Sequence, residues 1–413
     1  MTSDNMPGRP QTRALFVWEQ GTGLGHLSQL RLPMEVALAQ GAEVFLAARE
    51  LPGVCEVLAG LPITLLQAPF RQGVKPAPSA SFLSYTHLLG RQCFGSADEL
   101  EMYARAWRAL FALVRPDICL FEHSPTALMA AHGHAFKKVL LGSGFVLPPA
   151  NALSASPFLP FPTTPLDLDT KARLRADDAQ LLALINAVMR RLGSPELPDL
   201  GAIYGQADAS FLSTWPALDV FGERAGVPYL GMAPAAGQPP PHWPQADGPK
   251  VFAYLHNFPS LAHLLRDLQA AKVCALLLVR DLPPELRAAF SSATLRFVNH
   301  LVDLGQVAQQ AAWVLHHGNH STMATFMLAG LPQLVIPCHQ EQLFGGLRLV
   351  SKGCAAMAFQ DQPAFGAAIT ALQTNSKIRQ CAAQVASQCA PFDQTAVRGH
   401  MRETFAKLLS HPP

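Results

Sequence analysis

The sequence predicts an α/β protein built from two doubly wound parallel sheets. Three observations lead there. Short apolar runs rich in strand formers alternate with helix-period stretches through both halves of the chain, and such alternation calls for parallel strands with helices on both faces. The chain has 413 residues, more than a single hydrophobic core usually serves. A stretch holding six prolines, "APAAGQPPPHWPQADGPK" from Ala233 to Lys250, separates the halves and leaves no room for a regular element.

The elements follow in order. "ALFVW", Ala14 to Trp18, reads as the first strand. A helix comes next with Leu27, Leu30, Met34 and Leu38 on one face, and Pro33 is expected to kink it. "EVFLAAR" and "ITLLQAP" read as strands flanking the short helix "GVCEVLAG"; "LEMYARAWRALFALV" reads as helix, "DICLFE" as strand, "ALMAAHGH" as helix and "KKVLLGSG" as strand. Two excursions rich in Pro, Ser and Phe, Phe70 to Ala97 and Phe145 to Thr170, interrupt the pattern. Loops of that length are usually lids or binding loops, and their phenylalanines hint at a bulky apolar ligand. Beyond the prolines, "VFAYL", "VCALLLV", "TLRFV", "AWVLHH", "QLVIPC" and "AAMAF" are strand candidates, and "QTAVRGHMRETFAKLL" is a terminal amphipathic helix. The expected division is a first domain over 1–235, a stiff linker over 236–249, a second domain over 250–394 and the terminal helix over 395–413.

Composition narrows the function classes. With 49% hydrophobic and 15% charged residues, a large buried core is available. A net charge of +2 supplies no field for nucleic acid. No run approaches the roughly 18 apolar residues that span a bilayer, and the first residues lack the apolar core of a secretory signal. A cytoplasmic protein is expected, with peripheral membrane contact the one membrane role left open. Eight cysteines stand singly, without the CxxC spacing of a zinc or redox site.

The most informative stretch is "VLHHGNHSTMATFMLAGLPQLVIPCHQEQLFGGLRLV", Val314 to Val350. It reads as strand, tight loop, helix, strand, loop, helix. Gly318 permits close backbone approach. Asn319, Ser321 and Thr322 suit a helix start, where open N–H groups and the helix dipole attract an anion. His316 and His317 are candidate further donors to a diphosphate. Gln340, Glu341 and Gln342 are candidates for binding hydroxyl groups beside it. An anion next to a polyol points to a nucleotide sugar.

This stretch resembles the donor signature of the GT-B glycosyltransferases, in the bacterial branch that uses UDP- and dTDP-sugars on natural products. Members typically read HHGGAGT, AGVPQLVIP and DQ; this chain has "HHGNHST", "AGLPQLVIP" and "EQ" in the same order and spacing. The resemblance implies two Rossmann-like domains whose sheets face a cleft, the first binding the acceptor and the second the nucleotide sugar, with the terminal helix crossing back to the first. It implies that His316, Gly318, Asn319, His320, Ser321 and Thr322 line the diphosphate site, and that Glu341 and Gln342 hold the sugar. "RFVNHL", Arg296 to Leu301, falls at the base-binding loop, with Phe297 and Val298 as its candidates. The chain departs from the pattern at Asn319 and His320, which replace small residues. It departs again at Ala324, where plant-type members carry a ribose-binding carboxylate, and at Glu341 in place of Asp.

"WEQGTGLGHLSQL", Trp18 to Leu30, carries a second glycine–histidine loop. A dinucleotide fingerprint needs GxGxxG; here His26 stands where the third glycine would be, so that reading fails at its strictest position. A GxGH-like loop after the first strand is the second point of resemblance. It implies an acceptor-side loop with Gly23 and Gly25, His26 as general base, and a strand-end carboxylate orienting it. Histidine suits that work because its pKa lies near working pH. Glu122 closes the strand "DICLFE" at the matching place, whereas Asp117 precedes the strand and is expected to face solvent. The resemblance thus implies inverting, metal-independent transfer of a sugar from a nucleoside diphosphate to an acceptor hydroxyl, with the nucleotide sugar as co-substrate and no cofactor. The alternatives are a nucleotide-sugar hydrolase or epimerase on the same fold, or a non-catalytic partner protein.

Two features are set aside. "LDLDT" holds the pair Asp167 and Asp169 in the DxD spacing of a metal site, but helix-start carboxylates explain it more simply. His316, His317 and His320 lack the cysteine or carboxylate that would complete a regular zinc set.

Overall fold

The computed structural model describes residues 11–21, 24–71, 82–92, 94–233, 237–361 and 364–410. The chain divides into two compact units, one of residues 1–213 with 393–413 and the other of Thr214–Phe392.

The first unit runs β1 (Arg13–Trp18), α1 (Leu24–Ala39), β2 (Glu43–Ala48), α2 (Pro52–Val57), β3 (Ile63–Gln67), α3 (Tyr85–Gln92), α4 (Ala97–Val114), β4 (Ile118–Glu122), α5 (Pro125–Ala130), β5 (Lys137–Gly142), α6 (Leu168–Arg191), α7 (Ala202–Gly205) and β6 (Ala209–Leu212). Its described strands form one parallel sheet in the order β3-β2-β1-β4-β5-β6. Ala14 to Trp18 and all of β4 are buried, as expected of parallel strands covered on both faces. The first three strands step outward one way and β4 returns to the other side of β1. Strand order therefore reverses between β1 and β4, and ligands of such sheets bind beyond the carboxyl ends at such a point. α1 continues through Pro33 as one helix.

The second unit runs β7 (Lys250–His256), α8 (Leu261–Ala270), β8 (Cys274–Arg280), α9 (Pro284–Phe290), β9 (Leu295–Val298), α10 (Leu304–Gln310), β10 (Trp313–His316), α11 (His320–Leu328), β11 (Gln333–Val335), α12 (Gln340–Ser351), β12 (Ala355–Met357), α13 (Phe365–Thr374) and α14 (Ser376–Gln388). Its described strands also form one parallel sheet, ordered β12-β11-β10-β7-β8-β9. Here the reversal lies between β7 and β10. The last helix, α15 (Gln394–Ser410), belongs to the first unit. Arg398 pairs with Glu35 of α1 at 2.6 Å, and Phe405 packs against Phe211 of β6.

The division after Ser213 corrects the boundary expected at 235 and the linker expected over 236–249. Residues beyond Ser213 are already fastened to the second unit. Trp215 donates its indole N–H to Ala390 O at 2.8 Å, and Trp215, Ala217 and Leu218 are buried in one cluster with Met323, Met327 and Leu349. The described part of the proline stretch is pinned as well: Asp303 donates its N–H to Pro239 O at 2.8 Å, and Trp243 donates to Gln310 Oε1 at 2.8 Å. Such contacts follow no sequence period, so the composition shift alone misplaces the edge.

The described parts of the two excursions are packed structure rather than lids. Tyr85 N–H donates to Leu159 O at 3.0 Å and Phe161 N–H to Leu83 O at 2.9 Å, so each excursion clips onto the other. Buried Asp178 of α6 accepts from Thr86 Oγ1 at 2.6 Å, Ser156 Oγ at 3.2 Å and Phe158 N–H at 2.7 Å. Phe145, Phe158 and Phe161 are buried with Tyr85, so they serve the core and no longer speak for an apolar ligand. No helix among the described residues is long and apolar enough to cross a membrane.

Candidate functional site

In the first unit the chain leaves β1 at Trp18, passes Glu19, Gln20 and Gly21, and enters α1. Thr22 and Gly23 lie outside the described residues. His26, in the first turn of α1, reaches back to the end of β4, where its Nδ1 lies 2.8 Å from Glu122 Oε1. Glu122 is buried, and the His26 side chain keeps 19% of its surface. A carboxylate accepts, so Nδ1 donates, and Nε2 carries the lone pair of the neutral ring. Trp18 stacks on the imidazole, with ring centroids 5.5 Å apart and planes at 20°. Trp18 and Glu122 are partners in the β1–β4 register, so one face of the strand pair supports the ring from two directions.

Gly21 answers why this loop needs glycine. Its φ is +82°, and a Cβ there would lie 2.1 Å from His26 Nε2. A side chain at 21 is therefore incompatible with the ring in this place. Gly25 carries no such demand, since a Cβ there would meet open space; its selection as a loop glycine finds no steric reason. Asp117 is exposed and accepts Arg13 N–H at 2.8 Å.

Sequence reasoning missed Glu19. It is buried, accepting the N–H groups of Thr126 at 3.0 Å and Ala127 at 3.1 Å, and the Gln20 side-chain amide at 3.2 Å. Burial pushes its carboxyl from 4.5 up to about 7, against hydrogen bonds from Thr126, Ala127 and Gln20 that favour the charged form.

In the second unit β10 delivers His316 and His317 to the strand-order reversal, and both are buried. His316 Nδ1 accepts the N–H of Gly318 at 3.0 Å, so its Nε2 donates to Gln333 Oε1 at 2.8 Å. His317 Nε2 accepts the N–H of His256, at the end of β7, at 2.8 Å, so its Nδ1 donates to Ile336 O at 2.7 Å. Every ring nitrogen of the pair thus has a protein partner. The expectation that His316 and His317 donate to a diphosphate is corrected on that ground: they shape the backbone that lines the site. Burial, opposed by the Gln333 bond, pushes His316 from 6.5 down to about 4, and burial likewise lowers His317. Both rings are neutral near pH 7.

Gly318 is required by the same packing. Its φ is +97°, and a Cβ would lie 3.0 Å from Val335 Cγ1 and 3.1 Å from Gln342 O. The helix α11 then starts at exposed Asn319, with Met323 N–H donating to Asn319 O at 2.9 Å. The side chain of Asn319 caps no N–H of its own helix and instead accepts from Gln342 Nε2 at 2.7 Å. Gln342 is buried, and its Oε1 accepts Cys338 N–H at 2.8 Å. Both ends of that amide help to close the loop. Ser321 is exposed and His320 half-buried, whereas Thr322 is buried. Glu341 stands half-buried in the first turn of α12.

Phe297 and Val298 are given to the two faces of β9. Phe297 packs on one core cluster, under the Arg287 guanidinium at 5.5 Å, and Val298 is buried in the other. Strand alternation thus sends the two candidate nucleobase residues to opposite faces, with Phe297 only partly covered. Asp167 caps α6, accepting Thr170 N–H at 2.7 Å, and Asp169 sits in its first turn. The DxD pair is thus a helix start.

No protein-family model matches the chain, and no curated protein matches it in sequence. Solved structures do match in fold. The calicheamicin glycosyltransferase CalG4 superposes with a TM-score of 0.66 at 15% identity, over 98% of this chain and 99% of that one. The glycotransferase of kitacinnamycin gives 0.65 at 16% identity, over 98% and 100%. The spinosyn rhamnosyltransferase SpnG complexed with thymidine diphosphate gives 0.62 at 18% identity, over 94% and 99%. This chain has the two-sheet α/β fold of those glycosyltransferases along nearly its whole length.

Proposed function

We propose that the chain is an inverting glycosyltransferase that works without a metal ion and moves a sugar from a UDP- or dTDP-sugar to an acceptor hydroxyl. The observation that carries the reading is the His26–Glu122 pair, an imidazole 2.8 Å from a buried carboxylate beyond the carboxyl end of a parallel sheet. That is the arrangement a general base needs: a basic nitrogen, an orienting partner and a partner charge for the imidazolium. The exposed start of α11 supports it, as does the likeness in fold to a glycosyltransferase solved with thymidine diphosphate.

In this reading His26 Nε2 takes the hydroxyl proton as the acceptor oxygen attacks the anomeric carbon. The bond from that carbon to the diphosphate oxygen breaks, its electron pair leaves with the diphosphate, and direct displacement inverts the centre. Glu122 stabilises the imidazolium. The N–H groups of His320, Ser321 and Thr322, in the first turn of α11, take up the charge that develops on the leaving group. Glu341 addresses the sugar hydroxyls.

The test is a panel of nucleotide sugars, first by thermal shift and then with a hydroxyl acceptor such as 4-methylumbelliferone, a phenol. The wild type is expected to bind a donor and release nucleoside diphosphate only when the acceptor is present. His26→Ala is expected to keep donor affinity and lose about 10²–10⁴-fold in turnover. Retained turnover removes His26 as the base; equal release without acceptor makes the protein a hydrolase; no binding to any donor overturns the reading.

A further inference from the structure

We infer that Glu19 is a positioning residue, a carboxyl group that clasps the segment leaving β1, which leads to His26, to the segment that follows Glu122 at the end of β4. The inference rests on the proposed role of that pair. A carboxyl buried to 1% exposure at a strand end is costly to place and calls for a reason. The reason lies in how α5 begins. Ser124 stands at the usual capping position, but its side chain caps nothing; its Oγ donates backwards to Glu122 O at 2.8 Å. Pro125 has no N–H to give. The first open donors of α5, the N–H groups of Thr126 and Ala127, both go to Glu19 Oε2. The helix after β4 is therefore capped from the segment just after β1, by a residue 107 positions earlier than Thr126 in the chain.

The residues on either side of Glu19 complete the clasp. Trp18 stacks on His26 and donates its indole N–H to Gln20 O at 2.7 Å. Gln20 donates its backbone N–H to His123 O at 3.0 Å, and its side chain donates to Glu19 Oε1. His123, directly after Glu122, holds a φ of 41°, a left-handed conformation that a non-glycine residue keeps only when its surroundings impose it. Residues 18 to 20 thus grip residues 122 to 127 by side chain and backbone together. The two groups whose 2.8 Å contact defines the proposed base are the neighbours of that grip.

The experiment compares Glu19→Gln, Glu19→Asp and Glu19→Leu. The amide of Gln still accepts the two N–H groups; Asp keeps the carboxyl group but is one methylene too short; Leu accepts nothing. In protein labelled with ¹⁵N-histidine, without donor or acceptor, the His26 Nδ1 proton in its bond to Glu122 is expected to give a downfield resonance. Glu19→Gln should keep that resonance. Glu19→Asp and Glu19→Leu should shift or broaden it. In turnover assays these two should lower kcat between about tenfold and 10²-fold, the cost of a misplaced reacting group, with the KM for the donor unchanged. Should Glu19→Leu not fold, Glu19→Asp carries the test. An unchanged resonance and unchanged kcat in the folded Asp or Leu variant overturn the clasp. The resonance reads the His26–Glu122 contact itself. If the wild type turns over no nucleotide sugar, the proposed function falls while the spectra still decide Glu19.

Discussion

Each sheet reverses its strand order beside a loop that pairs glycine with histidine, and the two loops put the imidazole to opposite uses. After β1, His26 meets a carboxylate, Glu122, and keeps part of its ring surface exposed. After β10, His316 and His317 are buried against an amide, a carbonyl and backbone N–H groups, all of them neutral. A carboxylate partner stabilises a ring that gains a proton, whereas neutral partners in a buried setting resist the charge. Burial accordingly holds His316 down at about 4. In the proposed reading the first histidine handles a proton, while the second pair holds a backbone shape.

The glycines give the largest expected effects. Gly21→Ala places a methyl group where His26 Nε2 lies, at a positive φ. Turnover is expected to fall about as far as in His26→Ala, about 10²–10⁴-fold, while donor affinity by calorimetry stays as in the wild type. Gly318→Ala presses on Val335 and Gln342 O instead. It is expected to weaken dTDP or UDP binding and to leave kcat at saturating donor nearly intact. If both alanines weaken nucleotide binding alike, the division of labour between the loops is wrong.

The buried histidine supplies the next effect, on stability rather than rate. In the unfolded chain His316 takes up a proton near 6.5, whereas in the folded chain it stays neutral until about 4. The unfolded state therefore binds more protons as the pH falls between those values, and the folded state loses stability over that window. The expected loss is about 3 kcal/mol, levelling off below pH 4. His316→Gln cannot titrate. It should be less stable than the wild type at pH 7, for lack of the two ring hydrogen bonds, and should lose less further stability on acidification. Urea denaturation at steps from pH 7 to 4 checks this; parallel acid profiles for the two proteins would place the proton elsewhere.

Much of the fold was legible because local pattern carried it, and the candidate site was reached through two glycine–histidine motifs. The run "ALFVW" and the strand "DICLFE" are apolar because both faces of a parallel strand are covered, and the run lengths alone suggest it. Glu122 was reached through the resemblance, as a carboxylate closing a strand at the matching place, and the structure sets it 2.8 Å from His26. Glu19 was not: next to Trp18 it looks like a polar residue after a strand, and its N–H partners sit 107 and 108 positions away. The same holds for His316 and His317, whose partners Gln333, Ile336 and His256 come from other strands or strand ends. A motif shows that a histidine is present but not whether its nitrogens are spoken for. The boundary after Ser213 escaped for a related reason, since Trp215 is held by Ala390, 175 positions away, rather than by any period of its own.

Asn319 offers the smallest effect and the sharpest distinction between shaping and contact. It is exposed at the start of α11, the proposed diphosphate site, and its Oδ1 accepts from Gln342 Nε2 at 2.7 Å. If the side chain shapes the loop, Asn319→Ala removes one hydrogen bond at a half-open position, worth about 1 kcal/mol of stability. Nucleotide affinity then changes through loop position alone and stays within about tenfold of the wild type, that is within about 1.4 kcal/mol. If the side chain is a phosphate donor in its own right, the bond to a charged group is worth about 1.5–3 kcal/mol, and affinity falls by more than tenfold while the stability change stays the same. Calorimetry with dTDP beside a thermal melt separates the two. The geometry favours the first outcome, because the amide nitrogen of Gln342 already sets how the Asn319 side chain is turned.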